Sequence, residues 1–250
     1  MQGQDDTVMP QPVSIARAFR VSAILVSVGA VLSGPVAMLA VSRLAPQPPW
    51  KDVLTFADHY RPIQALPYAL GYLLLSGFVL FAAACHAAAS RKLRVRTSAS
   101  LIFTAIYAAL VFTNYTIQLG FIPRMLPDRP PFLTHLTMAN PSSFAWFLEM
   151  FGYAALGAAT WLVSPGFRGS RRANLVRYLL VANGVVSIAG AACTALFDRW
   201  VFSGAGLVSF MAWNTLIPVC YGLIATAPAR DFLGWQTSTD DAQPTRGRVK

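Results

Sequence analysis

The chain has 250 residues, of which 55% are hydrophobic and only 12% charged, about half the charged share of a soluble domain. This composition excludes an ordinary water-soluble fold, and the question becomes how many runs of about 20 apolar residues the chain contains. The net charge of +10 does not point to nucleic acid, because the basic residues form short clusters between apolar runs, where a membrane protein carries them.

The chain opens on a polar tail, residues 1–20, that includes MQGQDDTVMPQP. Six apolar runs then follow at 21–44, 66–89, 100–122, 144–164, 175–197 and 205–227, and a second polar tail closes the chain at 228–250. The first run is too long for the hydrophobic core of a signal peptide, about 7–15 residues, and reads as an uncleaved span. The fold expected is an all-α, polytopic membrane bundle of six helices over 21–227, with both tails cytoplasmic and the terminal tail disordered. The orientation comes from Lys and Arg in the tails and connections. One set of alternate segments holds fourteen of them and the other six, and the richer side of a bacterial cytoplasmic membrane is the inner one.

The connections expected outside include two long ones, APQPPWKDVLTFADHYRPIQ (45–64) and PRMLPDRPPFLTHLTMANPSS (123–143). Both are rich in proline and aromatic residues. They read as solvated connectors, with a lid over the bundle as the alternative. The three cysteines, Cys85, Cys193 and Cys220, lie inside apolar runs without metal-ligand spacing and read as small buried residues.

The fourth run, SSFAWFLEMFGYAALGAATWLV, holds Glu149, the only glutamate of the chain. A charge at such depth is costly and tends to face the interior of a bundle and mark function. Helical spacing puts Glu149 on a small, polar face with Ser142, Ala145, Trp146, Gly152, Tyr153, Leu156 and Thr160. Phe144, Phe147, Phe151 and Trp161 lie on the opposite face, which suits lipid. Tyr107, Asn114 and Gln118 share a face of the third run. Asn214 sits at similar depth in the sixth, so Glu149, Asn114, Gln118 and Asn214 are expected to form one polar cluster, with Tyr153 and Tyr107 beside it. Asn183 and His86 lie deeper and are secondary candidates. No lysine or arginine falls deep enough to neutralise Glu149, which would then hold a proton at neutral pH or await a cation. The plainer role for these amides is hydrogen-bonded packing between helices. Pro35 and Pro218 are expected to kink their helices.

No span contains lysine, so a retinal Schiff base is excluded. His86 alone cannot ligate a haem from both faces, and no P-loop, HExxH, GxSxG or GxGxxG pattern occurs. Asp58, His59 and His135 are too scattered to define a metal site. The sequence therefore implies no cofactor, no metal and no catalytic group, and leans away from an enzyme. Its partners are the lipid bilayer and, by the leading reading, a small-molecule or ion ligand bound or transported at the Glu149 cluster. The alternatives are an accessory subunit that meets a protein partner or a second copy, and an enzyme acting on a lipid or quinone.

Overall fold

The computed structural model describes residues 12–228; the outer parts of both tails lie outside the described residues. Six helices are long and apolar enough to cross a membrane: α1 (Ser14–Leu44), α2 (Pro62–Ala88), α3 (Arg91–Met125), α4 (Phe144–Gly166), α5 (Arg171–Leu196) and α6 (Gly204–Ala225). No strand occurs among the described residues. The chain is a multi-pass membrane protein built as an all-α bundle.

Helices α1, α3 and α5 begin earlier than their apolar runs. Their basic first turns are helical, because the same turns carry residues that dock. Ile15 and Phe19 are buried one turn apart beside exposed Arg17 and Arg20. The Phe19 ring meets Phe81 of α2 at 5.8 Å and Phe167 at 6.3 Å. Serine N-caps help set other boundaries: Ser170 accepts from the Ala173 amide and Ser203 from that of Gly206. Arg172 donates to the carbonyl of Thr226, just past the end of α6.

Each helix packs on the one before it, and α6 closes on α1, so the six form a ring in chain order. Small residues allow the close seams. A Cβ on Gly29 would come within 2.4 Å of the Leu74 backbone nitrogen, so α1 and α2 touch there only because a glycine is present. The apolar core inside the ring includes Leu74, Phe78, Phe81, Leu156, Leu180 and Ile217. Cys85 and Cys220 are buried and Cys193 half-buried, all as free thiols. The outward faces carry Phe144, Phe147, Phe151, Trp161, Val208 and Met211, all exposed to where lipid would lie.

Two helices are interrupted. In α1 a wide turn over Leu32–Val36 carries Gly34 (ψ −106°) and Pro35. In α3 a similar turn over Ile117–Phe121 precedes Pro123. Proline has no N–H to give the preceding turn and its ring crowds the carbonyl four residues back, so the helix widens to pass it.

The long connections are not solvated strings. Residues Val53–His59 and Leu133–Leu136 form short helices, and Val53, Phe56, Ile122, Leu126 and Leu133 make a second apolar core with Trp50 and Tyr60 around it. Val53, Phe56 and Tyr60 recur at helical spacing, which lets one face of the segment bury. Asp58 pairs with Arg129 at 2.8 Å across the two connections. Together they cap one end of the bundle, here the lid end; the opposite, basic end carries the arginine-rich turns. Asp52 caps Val53–His59 by accepting from the Thr55 amide at 2.7 Å, and these Thr55 hydrogen bonds hold its carboxyl below the usual carboxylate range. Burial in the lid pushes the Tyr60 phenol up.

Candidate functional site

Glu149 sits one and a half turns into α4 and is 7% exposed. Its helix face falls as the sequence pattern requires: Ala145, Gly152, Leu156 and Thr160 are buried with it. Gly152 brings α3 close. A Cβ there would lie 2.5 Å from Val111 Cγ2, so the glycine sets the helix spacing one turn below the carboxyl.

Both carboxyl oxygens are engaged. Asn114 Nδ2 donates to Oε2 at 2.9 Å and the Tyr115 hydroxyl donates to Oε1 at 2.9 Å. Both partners are neutral. Asn114 cannot turn over freely, and the reason can be traced to the lid backbone. The Met138 amide donates to Gln118 Oε1 at 3.2 Å, while Gln118 Nε2 donates to the Leu136 carbonyl at 2.8 Å. Main-chain donors and acceptors are unambiguous, so they fix which end of the Gln118 amide is nitrogen. That nitrogen also donates to Asn114 Oδ1 at 3.2 Å, which leaves Asn114 Nδ2 facing Glu149. The other Asn114 hydrogen reaches Met138 Sδ at 3.2 Å. Trp146 of α4 donates to the Met138 carbonyl at 2.9 Å. Met138 thus holds α3 through its amide and sulfur, and α4 through its carbonyl.

Tyr115 opens the cluster toward the bundle interior. Its hydroxyl lies 3.4 Å from that of Tyr153. Its ring packs on Tyr68 (5.6 Å) and Tyr72 (6.2 Å) of α2, and Gly71 leaves the space it fills. Tyr107, fully buried, faces Tyr153 with ring centres 5.4 Å apart, and its hydroxyl has no hydrogen-bond partner. Glu149, Asn114, Gln118 and Tyr153 therefore meet in one place, with Tyr107 adjoining.

Three sequence candidates stand elsewhere. Asn214 bonds its own helix at the Phe210 carbonyl (2.9 Å), and its Oδ1 lies against Gly34 of α1. Depth alone suggested a place in the cluster, but its azimuth on α6 differs; the neighbouring Trp213 is the residue that reaches Tyr153, at 4.9 Å. Asn183 donates to Thr160 at 2.9 Å and accepts from Ser187, a knot between α4 and α5. His86 Nδ1 lies 3.1 Å from the Thr97 hydroxyl near the basic end. Asp198, two residues past the end of α5, accepts from Ser142 and sits beside Arg199, in the open.

Sequence reasoning missed Tyr115 and Met138. Tyr115 follows Asn114 directly and so lies about 100° around the helix from it. Only the three-dimensional placement of α4 between the two shows that both reach one carboxyl. Met138 lies in a connection without periodicity, and half of its contribution is main-chain.

The two best-formed cavities among the described residues are about 10 Å³ each, one within the lid and one between α2, α3 and α4. Each has room for about one water. No family model matches the chain, and neither a curated protein nor a solved structure matches it.

Proposed function

We propose that this membrane protein binds and exchanges a proton at Glu149. The observation that carries the reading is the asymmetry of its two partners. Asn114 is locked as a donor, while Tyr115 is a hydroxyl that can reverse. Against the ionised carboxylate, both donate. Against the acid, Tyr115 accepts from the Glu149 O–H and turns its own hydrogen toward Tyr153. The same side chains therefore satisfy either protonation state without moving helices, which a purely structural hydrogen bond would not require. By the basic-residue asymmetry, the lid end faces outward from a bacterial cytoplasmic membrane.

Infrared difference spectroscopy of the purified protein tests the reading. A protonated-carboxyl C=O band should appear and vanish with pH in the wild type, shift on deuteration, and be missing in Glu149→Gln. Wild-type and Glu149→Gln spectra that titrate alike, with both proteins folded, would sink it and leave the accessory-subunit reading, in which the polar groups serve packing.

A further inference from the structure

The lid packs as a body of its own. Its apolar core of Val53, Phe56, Ile122, Leu126 and Leu133 is a cluster separate from the core inside the ring, and the outer end of α3 belongs to it. Between the two cores lies a polar layer. Gln118 holds the Leu136 carbonyl and the Met138 amide, the Asn114 amide meets the Met138 sulfur, and Trp146 holds the Met138 carbonyl. Water can replace each of these bonds as the surfaces part, whereas it gives nothing back to a parted apolar surface. A polar interface between two packed bodies therefore permits them to move relative to one another.

The chain crosses between bundle and lid four times, at the ends of α1 and α3 and at the starts of α2 and α4. Two of these crossings contain a wide turn, Leu32–Val36 in α1 and Ile117–Phe121 in α3. A helix can bend at such a turn while keeping its other hydrogen bonds. The turn in α3 stands at the border itself. Asn114 and Tyr115, which hold Glu149, precede it, and Ile122 and Leu126 of the lid core follow it. Gly120, within the turn, has open space where a Cβ would go. At the start of α4 the Ser143 side chain makes no cap, and its hydroxyl is buried without a hydrogen-bond partner.

We propose that the lid is the outer gate of Glu149, swinging on the wide turns of α1 and α3 to admit water, and with it a proton, to the carboxyl. The inference rests on the proton-exchange reading and concerns how that site is reached. When the second connection lifts, Gln118 loses both main-chain partners and Asn114 loses the Met138 sulfur. The cover over Glu149 and the clamp on its donor then go together. When the lid settles, the same bonds return Asn114 to the carboxyl. Asp58 and Arg129 tie the two connections to each other, so the connections move as one piece.

Glu149 is the one glutamate of the chain, so its modification is read without ambiguity. The test is its labelling by a water-soluble carbodiimide with glycinamide, in the full chain in phosphatidylcholine nanodiscs, followed by mass spectrometry of the Glu149 peptide. Wild type should label slowly. Leu133→Ala, which opens a cavity in the lid core and removes none of the Glu149 hydrogen bonds, should label at least about tenfold faster. Gly120→Ala, which stiffens the turn without a clash, should label about two- to fivefold slower than wild type. Circular dichroism and elution profile establish that each variant is folded, and Leu133→Val replaces Leu133→Ala if that protein is not. Equal rates in wild type and the Leu133 variant overturn the gate, and Gly120→Ala at the wild-type rate overturns the hinge. If the Glu149 infrared band titrates in the wild type while labelling ignores the lid, the gate alone has failed. If the band does not titrate, the proton-exchange reading has failed, and the gate that rests on it has failed too.

Discussion

At the scale of single residues, the orientation of one amide is set by main chain some distance away. Leu136 and Met138 fix Gln118, Gln118 fixes Asn114, and Asn114 addresses Glu149. Asn114→Ala leaves a carboxylate oxygen and a Gln118 hydrogen buried without partners. The expected cost is about 1–3 kcal/mol in thermal or denaturant unfolding in detergent. Asn214→Ala, which loses a bond to its own helix and a half-buried contact with Gly34, should cost less than about 1 kcal/mol in the same assay. The two substitutions are chemically identical, so the difference reads out the site. Glu149 was legible in the sequence because a lone acid in an apolar run has few explanations. Asn214 shows the limit of that reading: helical periodicity gives depth and face within one helix, but the angle between helices decides which faces meet.

The elements were legible where hydropathy governs them and less so where packing does. All six spans follow from apolar runs, yet α3 extends through Arg91–Arg96 because Thr97 and Ser100 below are buried against neighbours. The α3–α4 seam depends on Gly152. Gly152→Ala should force Val111 aside and part Asn114 from Glu149, lowering stability by about 1–3 kcal/mol. Gly120, in the wide turn of the same helix, has open space where a Cβ would go, so Gly120→Ala should leave the unfolding midpoint near that of the wild type. A matched pair of melting curves decides this. The lid stood only as the alternative to solvated connectors for a related reason. Its apolar residues are split between two connections, and neither segment alone shows the core they share.

For the molecule as a whole, the lid links one end of the bundle to the acidity of its surroundings. Asp52 is held below the usual carboxylate range by its bonds from Thr55. A group lowered on folding adds stability above its unfolded pKa, and that contribution is lost as pH falls through the folded value. Amide exchange protection in Val53–His59 should therefore drop on acidification. Asp52→Asn keeps an acceptor at the cap and should remove the pH dependence, measured by hydrogen exchange with mass spectrometry. The ring order bears on how the protein is made. Because every helix packs on its predecessor, each can dock as it leaves the ribosome and enters the bilayer, with little search among distant partners. The α6–α1 seam, where Asn214 lies against Gly34, must wait for the last helix. A nascent chain halted before α6 would hold five helices in native order around an open flank, and closing that flank joins the first span to the last.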